Sequence, residues 1–170
     1  MKKILIFLSI LLSGCVGKPE NVEPVGNFDL QRYLGTWYEI ARLDHRFERG
    51  LSNVTANYSL RDDGGVKVIN RGYSDRKGEW KQAVGKAYFV EDRATGFLKV
   101  SFFGPFYGSY IVFELDQKNY RYAVVSGPDK SYLWILARSP KIDEAVKARL
   151  VTKAAEKGFD AAKLIYVKHE

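Results

Sequence analysis

Residues 53–73 read NVTANYSLRDDGGVKVINRGY. Val54, Ala56, Tyr58 and Leu60 alternate with Asn53, Thr55, Asn57, Ser59 and Arg61, the period of a strand with one face on a core and the other in water. The alternation stops at Arg61–Gly65 (RDDGG), whose residues tolerate the left-handed and type I conformations of a hairpin turn, and an apolar-rich run resumes at Val66. The unit is therefore strand, tight turn, strand. Working outward, segments 37–43, 53–60, 66–73, 80–90, 97–103, 109–115, 120–126 and 132–138 carry strand character, broken by turn clusters such as DRATG at 92–96 and DQKN at 116–119. Sequential hairpins predict an up-and-down antiparallel meander.

The last of these segments departs from alternation. Leu133, Trp134, Ile135, Leu136 and Ala137 are apolar on both sides, so an element must cover the outer face. A helix follows in the chain. Ser139 is its expected cap with Pro140 at the first position, Asp143 and Glu144 stand in its early turns, and Gly158 ends it. Ile142, Val146, Leu150 and Ala154, spaced by four, supply the apolar stripe. One more short strand is expected within 159–167. The predicted fold is all-β: an eight-stranded up-and-down antiparallel β-barrel with a C-terminal α-helix packed outside and a short final strand. A barrel of that strand number is filled by its own side chains or holds one small ligand.

With 170 residues, 46% of them hydrophobic and 28% charged, the chain has the composition of one globular domain. Its single Cys excludes an internal disulfide framework, and with two His it leaves no expected metal site and no cofactor site. Lys2 and Lys3 precede an apolar run from Ile4 to Leu12, too short to cross a bilayer as a mature helix, and small residues follow; this is an export signal over 1–14. Leu12, Ser13, Gly14 and Cys15 resemble the lipobox of bacterial lipoproteins. That resemblance implies cleavage before Cys15, acylation of Cys15 and a membrane anchor; Val16, rather than Asp, in the second mature position implies sorting to the outer membrane, facing the periplasm. Several acyl chains exceed what stable anchoring requires. Residues 15–26 are expected to be the lipidated Cys and a semi-extended tether reaching up to about 40 Å, with the folded domain over 27–170.

Three motifs then stand in order. Gly35, Thr36, Trp37 and Tyr38 follow a short turn at 29–34; Tyr120–Val124 (YRYAV) follow Asp116; Leu136, Ala137 and Arg138 precede Ser139 and Pro140. Together they resemble the three motifs of the lipocalin family over residues 27–168, and WYEIARLDHRFERGL (37–51), YSLRDDGG (58–65), KVSFFGPFYGSY (99–110) and YLWILARSP (132–140) look closest to its bacterial members. In an eight-strand meander the start of the first strand and the end of the last meet at one rim. Arg138 is thus expected across the Trp37 ring, with Gly35 beside them, as a structural floor. The loops 44–52, 74–79, 104–108 and 127–131 belong to the opposite, open rim.

The resemblance implies binding of a fatty acid or lysophospholipid inside the barrel, for storage or transport in the cell envelope. Residue parity places Val54, Ala56, Tyr58 and Val68 on the barrel wall, with Phe89, Leu98, Val100 and Phe102 from the middle strands and Tyr110, Val112, Tyr132 and Trp134 from the later ones. At the open rim Arg46 and Arg49 are candidate contacts for a lipid phosphate, and the aromatic loop 104–108 is a candidate surface for membrane, ligand or a second copy in a homodimer. No catalytic constellation is evident. His45 and His169 stand apart from any nucleophile, Asp62 and Asp63 sit in a turn, and Cys15 precedes the barrel; dispersed bases show no nucleic-acid module. The alternative function is a structural or interaction lipoprotein of the envelope with a filled barrel.

Overall fold

The computed structural model describes residues 16–170; the expected signal at 1–14 and Cys15 lie outside the described residues. Strands β2 (Leu51–Leu60) and β3 (Val66–Ser74) pair antiparallel across the RDDGG turn, with Leu60 opposite Val66. Asp63 makes that turn: its carboxylate accepts from the Gly65 N–H, the Arg61 guanidinium and the Tyr88 hydroxyl. Strands β4 (Glu79–Phe89), β5 (Phe97–Ser101), β6 (Gly108–Leu115), β7 (Tyr122–Ser126) and β8 (Leu133–Ala137) follow, each antiparallel to the one before. Strand β1 (Gly35–Arg42) pairs with β8 on one edge and, through Gly35–Tyr38, with β2 on the other, so the sheet closes into a barrel. Beyond Tyr38, β2 peels away at a register shift between Ser52 and Thr55, where Asn53 has φ +51°. The short β9 (Ile165–Tyr166) fills the gap against Ala41 and Arg42, and the Asn53 N–H donates to the Lys168 carbonyl.

Two apolar bodies share the barrel wall. Inside lie Tyr58, Val66, Val68, Ala87, Leu98, Val112 and Leu136; outside lie Ile111, Phe113, Val124, Leu133, Ile135 and Ala137 with Leu150 and Ala154 of the helix. Strand β8 is apolar on both sides because Leu133, Ile135 and Ala137 meet the helix while Trp134 and Leu136 face the interior. Full burial of Leu150 contributes about 1.5–3 kcal/mol to that seam.

The helix, α2 in chain order after the single turn α1 (Leu30–Tyr33), runs Glu144–Glu156 and begins later than the sequence reading had it. Its cap is Asp143, whose Oδ1 accepts from the N–H groups of Ala145 and Val146 at 2.9 and 3.2 Å. Ser139 reaches only the Lys141 N–H at 3.5 Å, and no helical turn follows it. The chain uses residues 139–143 to leave the barrel edge before the helix begins. Gly158, at φ +84°, ends the helix in the left-handed conformation that favours glycine.

Residues 16–26 also depart from expectation, because they are not a free tether. Val22 is fully buried in the outer apolar body; the Val25 N–H donates to the Val112 carbonyl and the Gly96 N–H to the Val25 carbonyl. The Ser109 hydroxyl donates to the Gly17 carbonyl and the Gln117 amide to that of Gly26. The segment is a strap along the outside of the barrel, held by valines whose spacing follows the barrel surface rather than any helix or strand period.

Candidate ligand cavity

The floor is built by the strap's continuation. Asp29 caps α1, whose Leu30 and Tyr33 point up into the barrel beside Phe28. Gly35 at φ +92° turns the chain from α1 into β1, and the Trp37 indole N–H donates to the Tyr33 carbonyl at 2.8 Å. Arg138 lies over the Trp37 ring, 4.0 Å from its centroid, and its guanidinium donates to the carbonyls of Thr36, Arg32 and Tyr120 at 2.9, 2.6 and 3.3 Å.

Above this floor is a cavity of about 80 Å3 lined by Phe28, Leu30, Tyr33, Val66, Val68, Ala87, Leu98, Val100 and Phe102, together with Tyr58, Asn70, Tyr110 and Trp134. These last four also line a second compartment of about 40 Å3 nearer the mouth, so the two are neighbours across them. Since roughly 10–15 Å3 suffices for one water, the deep compartment has room for a short hydrocarbon as it stands. Three hydroxyls cross its side: Tyr110 bonds both Tyr33 and Tyr58 at 2.8 Å. Burial holds all three tyrosines above the ordinary phenol range, so they stay neutral.

The mouth compartment is the more polar of the two. Glu39, Glu48, Thr55 and Asn70 line it with Val54, Ala56 and Leu136. A bulge in β1 opposite β8 leaves Ile40 as an extra residue; Ile40 and Ala41 both pack outward, and Glu39 and Arg42 both turn inward. Arg42, 1% exposed, donates to Glu39 Oε1 and to the Glu48 carbonyl, each at 2.7 Å. The Trp134 indole N–H donates to Glu48 Oε2 at 3.1 Å, and His45 Nε2 stands 3.0 Å from the same oxygen. Burial, then the facing Glu48 carboxylate, raises Glu39 well above the ordinary carboxylate range; Arg42 is shared with a carbonyl and offsets only part of this. Burial opposes ionisation of Glu48 too, but His45, the Trp134 N–H and Glu39 outweigh it and its carboxyl titrates below the usual range. Of the two carboxyls Glu39 is the weaker acid.

A family model described as a lipocalin-like domain matches residues 28–169. The chain belongs to the lipocalin family. It is 60% identical over 166 residues, 98% of its own length and 97% of the relative's, to a Vibrio cholerae serotype O1 protein named Outer membrane lipoprotein Blc. A protein of the same name from Escherichia coli strain K12 is 59% identical over 150 residues, covering 88% of this chain and 84% of that one. Insecticyanin from the tobacco hornworm Manduca sexta superposes with a TM-score of 0.72 at 26% identity, covering 91% of this chain and 87% of that structure. This lipocalin is thus an outer-membrane lipoprotein, and its fold is one that binds lipophilic ligands. Among the described residues no helix is long and apolar enough to cross a membrane.

Within the lipocalin barrel, nine of the residues expected on the wall line the cavity: Val54, Ala56, Tyr58, Val68, Leu98, Val100, Phe102, Tyr110 and Trp134. Phe89 and Val112 face the interior but at floor level, where Phe28 and the side chain of Val25 occupy the space. Tyr132 lies at the rim, stacked on Trp134, with its ring 5.9 Å from His45. Arg46 and Arg49 do not enter the cavity. Arg46 is exposed beside Phe47, and Arg49 is exposed and forms a two-pronged pair with Asp44. The loop turns them outward because its inward positions are taken by His45 and Glu48. The parity of β3 and β4 could have found Val66, Asn70 and Ala87, and alternation from Trp37 could have found Glu39; Arg42 required the bulge, and Phe28, Leu30 and Tyr33 required the floor crossing.

Proposed function

We propose that the lipocalin carries a fatty acid or lysophospholipid in its barrel while anchored to the outer membrane through an acylated Cys15. One observation supports this above others: the apolar deep compartment adjoins, across Tyr58, Asn70, Tyr110 and Trp134, a more polar one that adds Glu39, Glu48 and Thr55, which fits a molecule with a hydrocarbon end and a polar end. The hydrocarbon lies against Val68, Ala87, Leu98 and Val100, where apolar burial at about 25 cal/mol per Å2 supplies affinity without directional contacts. A longer chain enters as the half-buried rings of Phe102 and Trp134 swing aside. At the polar end a glycerol hydroxyl or a protonated carboxyl donates to the Asn70 amide oxygen, which is buried without a hydrogen-bond partner, beside the Glu39 carboxyl.

Mass spectrometry of organic extracts from the folded Cys15→Ser protein is expected to recover a single-chain lipid, and titrated fatty acid is expected to quench Trp134 emission. Ala87→Phe, which fills the deep compartment, is expected to weaken that titration by about tenfold or more while the protein still melts cooperatively. Extracts free of lipid, with emission indifferent to added fatty acid or lysophospholipid, would reject the carrier and leave an envelope lipoprotein with a filled barrel.

A further inference from the structure

The strap has a direction. It starts at the open rim, where Gly17 is bonded to Ser109 at the beginning of β6 and lies against Pro128 of the β7–β8 loop. It descends past Val112 and Gly96 and reaches the floor at Gly26 and Phe28, bonded to Gln117 and Ala94. The N-terminal end of the folded domain is therefore on the same side as the mouth, not beside the floor. Two residues of chain span at most about 7 Å, so a lipid attached to Cys15 departs beside Ser109 and the loop 102–107.

That loop (FFGPFY) carries no acidic or basic residue. Phe103 and Phe106 are 74% and 72% exposed, and Phe47 on the β1–β2 loop of the same rim is 61% exposed. At the floor the turns carry Asp62, Asp63, Asp92, Arg93 and Lys118, while the other mouth loops carry Arg46, Arg49, Arg76, Lys77 and Lys130 beside Asp44, Asp75 and Asp129, a basic excess around the uncharged loop. An uncharged loop with two protruding phenylalanines, next to the point where an acyl anchor leaves, matches the interfacial layer of a bilayer.

We propose that the barrel mouth lies on the bilayer holding the chain's own anchor, with Phe103 and Phe106 set into the lipid surface. The inference rests on the reading of Cys15 as the acylated residue. The strap leaves no slack for the barrel to turn over, and a single-chain lipid passes between bilayer and cavity without crossing open water.

The test uses full-length acylated protein in phosphatidylethanolamine–phosphatidylglycerol vesicles, with an environment-sensitive fluorophore on Phe106→Cys at the mouth or Lys118→Cys at the floor. Flotation with the vesicles, lost in Cys15→Ser, establishes the anchor. Quenching by headgroup-level nitroxide lipid is expected to be several-fold stronger at 106 than at 118, and quenching by iodide the reverse. Phe103→Ser/Phe106→Ser is expected to float normally but to expose a label at position 47, in Phe47→Cys, to iodide. Flotation with equal quenching at both positions, or stronger lipid quenching at 118, overturns the orientation and leaves the anchor standing. Absence of flotation overturns both. A Cys15→Ser dimer in sedimentation that Phe103→Ser/Phe106→Ser dissolves would show a second copy covering the rim and would also overturn it.

Discussion

The residue with the most consequential environment is Glu39. It is 3% exposed, and burial together with the Glu48 carboxylate holds its carboxyl above the ordinary range against the pull of Arg42. A carboxyl raised on folding stabilises the fold below its ordinary value, and that contribution is lost as pH rises through its folded value. Glu48 is depressed, so its contribution is present above the ordinary value and is lost as pH falls. The two oppose each other, and stability is highest between them. Glu39→Gln keeps the neutral shape and removes the alkaline decline. Thermal melts are expected to show the variant equal to wild type near pH 5 and higher-melting on the alkaline side; a variant that melts lower at alkaline pH would mean that Glu39 works there as the anionic partner of Arg42.

At the scale of elements, α2 and the strap are held by different means. The helix depends on an amphipathic face and a side-chain cap, both local, yet the cap is Asp143 rather than Ser139 because the chain must first clear the barrel edge. Asp143→Ala is therefore expected to cost about 1 kcal/mol in urea unfolding, whereas Ser139→Ala changes little. The opposite ranking would place the start of the helix where Pro140 suggests it. The strap has no periodicity; it is held by a fully buried Val22 and by backbone bonds to Gly96 and Val112, partners distant in the chain.

For the whole molecule, closure of the barrel converges on Arg138. Its guanidinium joins the end of β8 to α1, β1 and the β6–β7 turn through three carbonyls, and it covers Trp37. A partly desolvated cation–π contact and hydrogen bonds from a charged donor together make Arg138→Ala cost about 2–3 kcal/mol in denaturant unfolding. Arg138→Lys is expected to recover no more than about half, because an ammonium does not reproduce a planar fork over an indole. Full recovery by Lys would mean that charge alone holds the floor.

The number and order of strands, the helix on the outer face of β8, the Gly35–Trp37–Arg138 floor and most of the cavity wall were legible along the chain. The strands, the helix and the wall follow from short-range rules: side chains alternate on a strand, repeat every three to four residues on a helix, and turn where small polar residues permit it; the floor was legible through the three ordered motifs and the closure of a meander. The inward turn of Arg42 onto Glu39, the outward Arg46 and Arg49, the docked strap and the position of the mouth beside the strap's start were decided only in three dimensions. A bulge inverts parity when the partner strand fixes the register, a loop chooses which side chains to bury by what waits opposite, and a segment without period is held by surfaces formed far away in sequence. Those choices depend on non-local burial and hydrogen bonding, which no local window of residues contains.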